Sequence, residues 1–353
     1  MIEPRECLHR VTPYPMPEPG RKTKTRLDMN ENTRGCSPRV LDAIKNINQD
    51  DIAAYPEYQG LIEKLAHFHN VRPENLLLTN GADDAFRCIM ATYLDSRHQV
   101  ILPIPIYPMF EIFARQNGAQ VTEVLYNQDL SFPTEKVINA INEKTKMVVI
   151  VNPGNPTGTT ITRKELIRIL TAAKTAVVLL DETYYQFTEE SFIPLIKDFA
   201  NLIITQSFSK VFGLAGLRIG FIVSNSDNII HLNKVNLPFS VNTIALIAAK
   251  TALDDDAYID EYVYEVKNER RFLYEKLQKM GFDVRMTDAN FILLYLGDQC
   301  NRIHQELKYR NVLVKNLKGY PQLDGFLRIT IGTHSENLVF LEVLEDIIRT
   351  GTK

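Results

Sequence analysis

The sequence predicts an α/β protein with a large domain built on a mostly parallel sheet, helices on both faces, and a smaller α+β domain after it. Three observations carry this. Short apolar runs rich in Val, Ile and Leu recur through the first two thirds of the 353 residues, each bounded by turn residues. Amphipathic stretches of helical period lie between several of them. After about residue 250 the texture changes to one long charged helix followed by a shorter alternation.

In chain order the predicted strands of the large domain are "NLLLTNG" (75–81), "QVILPIP" (99–105), "AQVTEVL" (119–125), "KMVVIVNP" (146–153), "AVVLLDE" (176–182), "NLIITQS" (201–207) and "RIGFIVS" (218–224). Continuous apolar runs of this length suit strands covered on both faces. "ADDAFRCIMATYL" (82–94) and "TRKELIRILTAAK" (162–174) read as covering helices, and strands alternating with helices argue a parallel sheet. "DAYIDEYVYEVKNERRFLYEKLQKMG" (256–281) opens the second part; "NFILLYL", a helix, "VLVKNL", "LRITIG" and a closing helix follow. The expected division is a proline-rich segment 1–45 packing with the small domain, a large domain 46–250 and a small domain 251–353.

Composition narrows the function. With 45% hydrophobic and 24% charged residues and a formal charge of -3, the chain reads as globular, without the basic excess of a nucleic-acid or membrane-surface binder. Cys7, Cys36, Cys88 and Cys300 are scattered with no CxxC pair, which suits neither a zinc site nor a disulfide scaffold and fits a reducing cytoplasm. The polar N-terminus has no apolar leader core, and no run approaches the length of a membrane span. His67 and His69 sit two apart on a helical stretch, on different faces, a poor metal pair, so no metal is expected. "DDD" (254–256) reads as a solvated turn. "GLAGLRIG" spaces its glycines as GxxGxxxG, which argues against a nicotinamide site.

In an open α/β sheet, ligands bind beyond the carboxyl ends of the strands. After 76–79 comes "NGADD", a glycine turn and a helix start whose free N–H groups suit an anion, or a plain N-cap by Asn80 or Asp83. After 147–151 comes the rigid turn "NPGNPTG", with Asn152 and Asn155; after 177–180 comes Asp181, a carboxylate that needs a cationic partner or a capping role. After 202–205 comes "SFSK", with Ser207, Ser209 and Lys210, and then Arg218. A strand-end lysine is usually a solvated side chain. Four successive strand ends nonetheless offer one small molecule a phosphate cradle, an amide, a carboxylate and an amine. Pyridoxal phosphate, with its phosphate, phenolic oxygen, ring nitrogen and aldehyde, can use all four.

The chain resembles the fold-type-I pyridoxal-phosphate aminotransferases, and among them most resembles the histidinol-phosphate aminotransferases. The resemblance runs nearly end to end, through "LDMNEN" (27–32), "YPEYQG" (55–60), "LLLTNGADD" (76–84), "NPGNPTG" (152–158), "LDETYYQF" (180–187), "SFSKVFGLAGLRIG" (207–220), "ANFILL" (289–294) and "GYPQLDGFLRITIGT" (319–333). It implies a three-layer large domain and a transamination between an amino donor and a keto acceptor. Lys210 would hold the cofactor covalently and shuttle the proton, with Asp181 on the ring nitrogen. Asn155 and Tyr184 would bond the phenolic oxygen, and Tyr107 would stack on the ring. The phosphate would lie on the N–H groups of Ala82 and Asp83, the hydroxyls of Ser207 and Ser209, and Arg218. Tyr55 would reach it from a neighbouring subunit, implying a homodimer with shared sites. Arg328 would clasp a substrate carboxylate, although its alternation with apolar residues in "LRITI" also fits a solvent-facing side chain.

The substrate side departs from the family pattern. "VLVKNL" gives Lys315 and Asn316 where a "VRD" arginine is usual, exchanging a planar fork for a point charge. "NENTRG" replaces "NENPYG", keeping Asn30 and adding Arg34 near the expected substrate mouth, and Tyr14 matches a phosphate-contacting tyrosine. Gly154 and Thr183 stand where Asn and Ala are frequent. These changes fit a compensated phosphate site made by Lys315, Arg34 and Tyr14, or a pocket moved to an aromatic or acidic amino acid. The threonine-phosphate decarboxylases share much of the pattern but tend to carry phenylalanine at the place of Tyr184, which favours transamination.

Overall fold

The structure is a computed structural model that describes residues 2–17, 19–188 and 190–351. Its strands are β1 (Thr25–Leu27), β2 (Leu76–Thr79), β3 (Gln99–Ile104), β4 (Gln120–Leu125), β5 (Thr145–Val151), β6 (Val177–Asp181), β7 (Leu202–Ser207), β8 (Gly220–Ser224), β9 (Asp283–Arg285), β10 (Phe291–Tyr295), β11 (Val312–Asn316) and β12 (Phe326–Thr330). The helices are α1 (Pro38–Lys45), α2 (Gln49–Ala53), α3 (Gln59–His69), α4 (Ala82–Tyr93), α5 (Met109–Gln116), α6 (Thr134–Ala140), α7 (Arg163–Ala172), α8 (Ser226–Asn233), α9 (Thr243–Ala252), α10 (Asp256–Lys279), α11 (Cys300–Tyr309) and α12 (His334–Gly351).

The large sheet has the order β2-β8-β7-β6-β5-β3-β4. Only β8 runs antiparallel to its neighbours; the other pairings are parallel. The period-2 geometry of a strand explains the continuous apolar runs. Val148, Ile150, Val178, Leu180 and Ile204 enter a core with α3, α7 and α9, while Met147, Val149, Val177, Leu179 and Ile203 enter the opposite core with α4, α5 and α8. Each such side chain, once buried, stabilises the fold by about 1.5–3 kcal/mol relative to exposure. The covering helices are locally specified too. At α7, Thr162 accepts from the Glu165 amide while the Glu165 carboxylate accepts from the Thr162 amide, a reciprocal cap that stabilises by about 1 kcal/mol.

The small sheet has the order β1-β11-β12-β10-β9, with β1 parallel to β11 and the rest antiparallel. Leu273 and Leu277 of α10, Ile303 and Leu307 of α11, and Phe340 and Leu344 of α12 form its core with Phe291, Leu293 and Leu327. The seven predicted strands of the large domain correspond to β2–β8. Two three-residue strands, β1 and β9, lie outside the predicted set, because three residues carry no readable period.

The segment 1–45 does not stay together. β1 completes the small sheet, but Val40 of α1 shares the large-domain core with Ala248 and Ala249 of α9. The reason lies in α1's amphipathic face, which finds its apolar partner on α9 rather than on the small sheet.

Candidate active site

A cavity of about 490 Å³ opens where β2, β5, β6 and β7 end and where the small sheet meets them. At its inner end the chain turns from β2 into α4 through Gly81, whose φ of 81° lies in the left-handed region that favours glycine. Gly220 lets β8 lie directly beneath. A Cβ there would stand 2.9 Å from both the Ala82 nitrogen and the Gln206 oxygen, so a larger residue would push the N-terminus of α4 off the sheet. Ala82, Asp83, Ser207, Ser209 and Arg218 all line this end. The Asp83 carboxylate accepts from Tyr107 (3.2 Å) and from Arg218 Nη2 (3.0 Å), tying three elements together. Burial and the Asp83 charge push the Tyr107 hydroxyl far above its ordinary range, so it stays a neutral donor. The Ser209 amide donates to Ser207 Oγ over 3.0 Å, which folds the turn before Lys210.

Lys210 Nζ donates to the Met29 carbonyl over 2.9 Å and lies 5.8 Å from the centre of the Tyr184 ring. Tyr184 is buried and its hydroxyl accepts from Asn30 Nδ2 (3.0 Å) and Asn155 Nδ2 (3.4 Å). Asn152, the other amide of that turn, is structural: its Oδ1 accepts from the Ile161 amide. Asp181 ends β6, buried at 5% exposure, and burial pushes its carboxyl up to about 6 against the pull of Thr183 and Thr205. Next to it Glu182 is fully buried, accepts from Ser191, Phe192 and Gln206, and is pushed up to about 7 by burial.

The outer end is built by the small sheet and the N-terminal segment. Arg328 on β12 is not solvent-facing: it is 8% exposed, donates to Asn155 Oδ1 and to the Asp28 carbonyl (2.7 Å), and packs over Phe291. Its Nε is buried with no hydrogen-bond partner. Lys315 stands opposite Arg328 in the β11–β12 register. Burial first, then the Arg328 charge, pull its ammonium below the usual lysine range. Tyr14 lines the same end, its ring edge-on to Tyr107 at 5.9 Å between centroids.

Two expected site residues lie elsewhere in the chain's own fold. Arg34 does not line this cavity. It is drawn to α10, where it pairs with Glu261 (2.6 Å) and Glu265 (3.2 Å) over the Tyr258 ring, so its charge is spent on structure. Tyr55 is 78% exposed and stacks on Phe239 at 4.5 Å, outside the cavity. The cavity also gathers residues that strand-end reasoning missed: the Met29 carbonyl, Glu31, His304 and Tyr320. A backbone carbonyl leaves no sequence signal; Tyr320 could have been found, since it lies within the matching "GYPQLDGF" stretch.

This constellation of a strand-end lysine, a buried carboxylate, a helix N-terminus with two serines and an arginine, and an outer pair of cations defines the class. The profile of the family described as aminotransferase class I and II matches residues 22–344, and the chain belongs to that family. It is therefore a transaminase, of a family dependent on pyridoxal phosphate. Among relatives it is 33% identical over 331 residues to the histidinol-phosphate aminotransferase of Caldanaerobacter subterraneus subsp. tengcongensis, covering 92% of this chain and 93% of that one. Histidinol-phosphate aminotransferase 2 of Carboxydothermus hydrogenoformans is 32% identical over 361 residues, covering 98% and 99%. In fold it is similar to the crystal structure of histidinol-phosphate aminotransferase from Sinorhizobium meliloti in complex with pyridoxal-5'-phosphate, with a TM-score of 0.89, 24% identity, and coverage of 98% and 97%.

Proposed function

We propose that the chain is a cytoplasmic, homodimeric, pyridoxal-phosphate-dependent transaminase that moves the amino group of histidinol phosphate to 2-oxoglutarate, giving imidazole-acetol phosphate and glutamate. The observation that carries the substrate is the Lys315–Arg328 pair. Two cations face each other across adjacent strands, and among the described residues no carboxylate is ion-paired with either. Crowded, partly desolvated like charges are relieved by an anion: Lys315 meets the phosphate of histidinol phosphate, and Arg328 meets a carboxylate of glutamate or 2-oxoglutarate.

The inner end fits the cofactor. Asp181 takes all three of its hydrogen bonds on Oδ1, leaving Oδ2 as acceptor for a protonated ring nitrogen. Ala82, Asp83, Ser207, Ser209 and Arg218 line the cavity at the α4 N-terminus and would hold the phosphate there, through the two amides, the hydroxyls and the guanidinium. When bound, pyridoxal phosphate supplies an aldehyde for the donor's amine and a ring that accepts the electron pair released at its α-carbon. Lys210 Nζ is the base that takes the α-proton and returns it on the other side of the exchange. Tyr184 and Asn155 would hold the phenolic oxygen and Tyr107 would cover the ring face, while Asn30 donates to the Tyr184 hydroxyl and holds it in place. Tyr14 and Arg328 orient the substrate. Tyr55 serves the phosphate of a second copy; exposed Tyr55 and Phe239, with exposed Ile52 and Leu237 in the same two segments, support such an interface.

The test is a single-turnover absorbance scan of the loaded enzyme with histidinol phosphate, glutamate, phenylalanine and threonine phosphate added separately. Histidinol phosphate and glutamate are expected to bleach the lysine-bound cofactor band within one turnover. Bleaching by phenylalanine or threonine phosphate with none by histidinol phosphate would overturn the substrate reading.

A further inference from the structure

Three donors converge on one oxygen of Asp181. Thr183 Oγ1 reaches Oδ1 over 2.7 Å and the Thr183 amide reaches it over 3.1 Å, both from the turn that follows β6. Thr205 Oγ1, on β7, reaches the same oxygen over 3.2 Å. The Thr205 contact follows from sheet register, since Asp181 and Thr205 are directly paired. The Thr183 hydroxyl contact is not forced by any ladder; it exists because a hydroxyl was placed there. All three residues are buried, so the hydroxyls act on the carboxylate with little competition from bulk water.

We propose that Thr183 is a positioning residue whose hydroxyl holds Asp181 Oδ1, so that Oδ2 is presented, ionised, to a cationic N–H inside the cavity. The identity of that N–H as a pyridinium rests on the cofactor reading above; the clamp itself is a property of the chain. The need for a clamp follows from the surroundings. Burial raises the Asp181 carboxyl, and the Asp83 carboxylate from the first turn of α4 raises it further. Glu182, the next residue, is buried beside it. Lys210, Arg218, Tyr107 and Tyr184 line the same cavity, and the cations among them are taken by the Met29 carbonyl and by Asp83. A neutral Asp181 would offer a proton where an acceptor is needed. Hydrogen bonds to the charged form are what oppose that outcome.

A threonine that merely fills space is replaced without loss by valine, which has the same shape and no hydroxyl. The full chain, labelled with carboxyl-¹³C aspartate, is titrated by NMR with and without pyridoxal phosphate, the Asp181 resonance being identified by its loss in Asp181→Asn. The Thr183→Val and Thr183→Ala variants are expected to raise the Asp181 midpoint by about one pH unit, with Thr183→Ser close to wild type. In the loaded enzyme the acid limb of kcat/KM moves to higher pH in Val and Ala, and Ser restores it. A wild-type midpoint in Thr183→Val, or no rescue by Thr183→Ser, would overturn the proposal. Failure of the wild-type chain to bind pyridoxal phosphate would remove the cofactor reading alone, since the cofactor-free titration still decides the clamp.

Discussion

The two ends of the cavity are assembled in opposite ways. At the inner end Asp83, Asn155, Asp181, Ser207 and Lys210 each lie within a few residues of the end of a strand; parallel register aligns the ends of β5, β6 and β7, and β2 reaches the same edge across antiparallel β8. At the outer end the contacts join distant parts of the chain: Arg328 to the Asp28 carbonyl, Thr330 to Asn30, Arg328 to Asn155, Tyr14 to Tyr107. The inner end is thus fixed by the large sheet's own folding, while the outer end depends on the small sheet docking correctly. Chemistry common to a whole family belongs on the first kind of scaffold, and substrate choice, which must vary, on the second.

If that contrast holds, the inner end gives the larger losses. Lys210→Ala is expected to cost more than about 10⁴-fold in kcat and to remove the cofactor's lysine-bound band, read by steady-state kinetics and absorbance; retained turnover would break the comparison outright. Arg328→Ala is expected to lower kcat/KM about a hundredfold or more for histidinol phosphate and glutamate alike, because it also releases Asn155 and the Asp28 carbonyl. Lys315→Ala sharpens the same point. It is expected to raise KM about tenfold for the phosphorylated substrate and much less for glutamate, and equal effects would strip it of a specificity role.

Smaller effects bear on stability. Glu182 is held at about 7, above its ordinary value of 4.5, so the folded protein keeps a proton that the unfolded chain releases. The stability from that proton is full below about pH 4.5 and is lost as pH rises through about 7. Glu182→Gln should therefore gain roughly 2 kcal/mol on wild type between pH 5 and pH 8, measured by denaturant unfolding at each pH. Arg34→Ala is expected to leave KM for either substrate within about twofold, since its charge is spent on Glu261 and Glu265 at the protein surface, and exposed pairs contribute under about 1 kcal/mol.

The inner end was legible because it obeys local rules. Four of the seven apolar runs ended on candidate chemistry, and Asp181, Lys210 and the "NGADD" turn could be placed at strand ends without any long-range contact. Arg34 shows where such reading stops. Its neighbours in sequence point toward the cavity, since Asn30 lines it, but the Glu261 and Glu265 pair, one helical turn apart on α10, faces it from more than 200 residues away and takes it. The grip of Thr205 on Asp181 is of the same kind, a matter of register between β6 and β7 that no single run displays.

The three-residue strand β1 has a consequence for how this molecule can be inherited and handled. It enters the small sheet from the far end of the polypeptide and covers the β11 edge at Val312–Val314. A gene fragment starting at α10 would encode every other strand of that sheet and yet leave this edge bare, a ready template for sticking to another copy of itself. A cut near residue 253 therefore parts β11 from the strand that covers its edge.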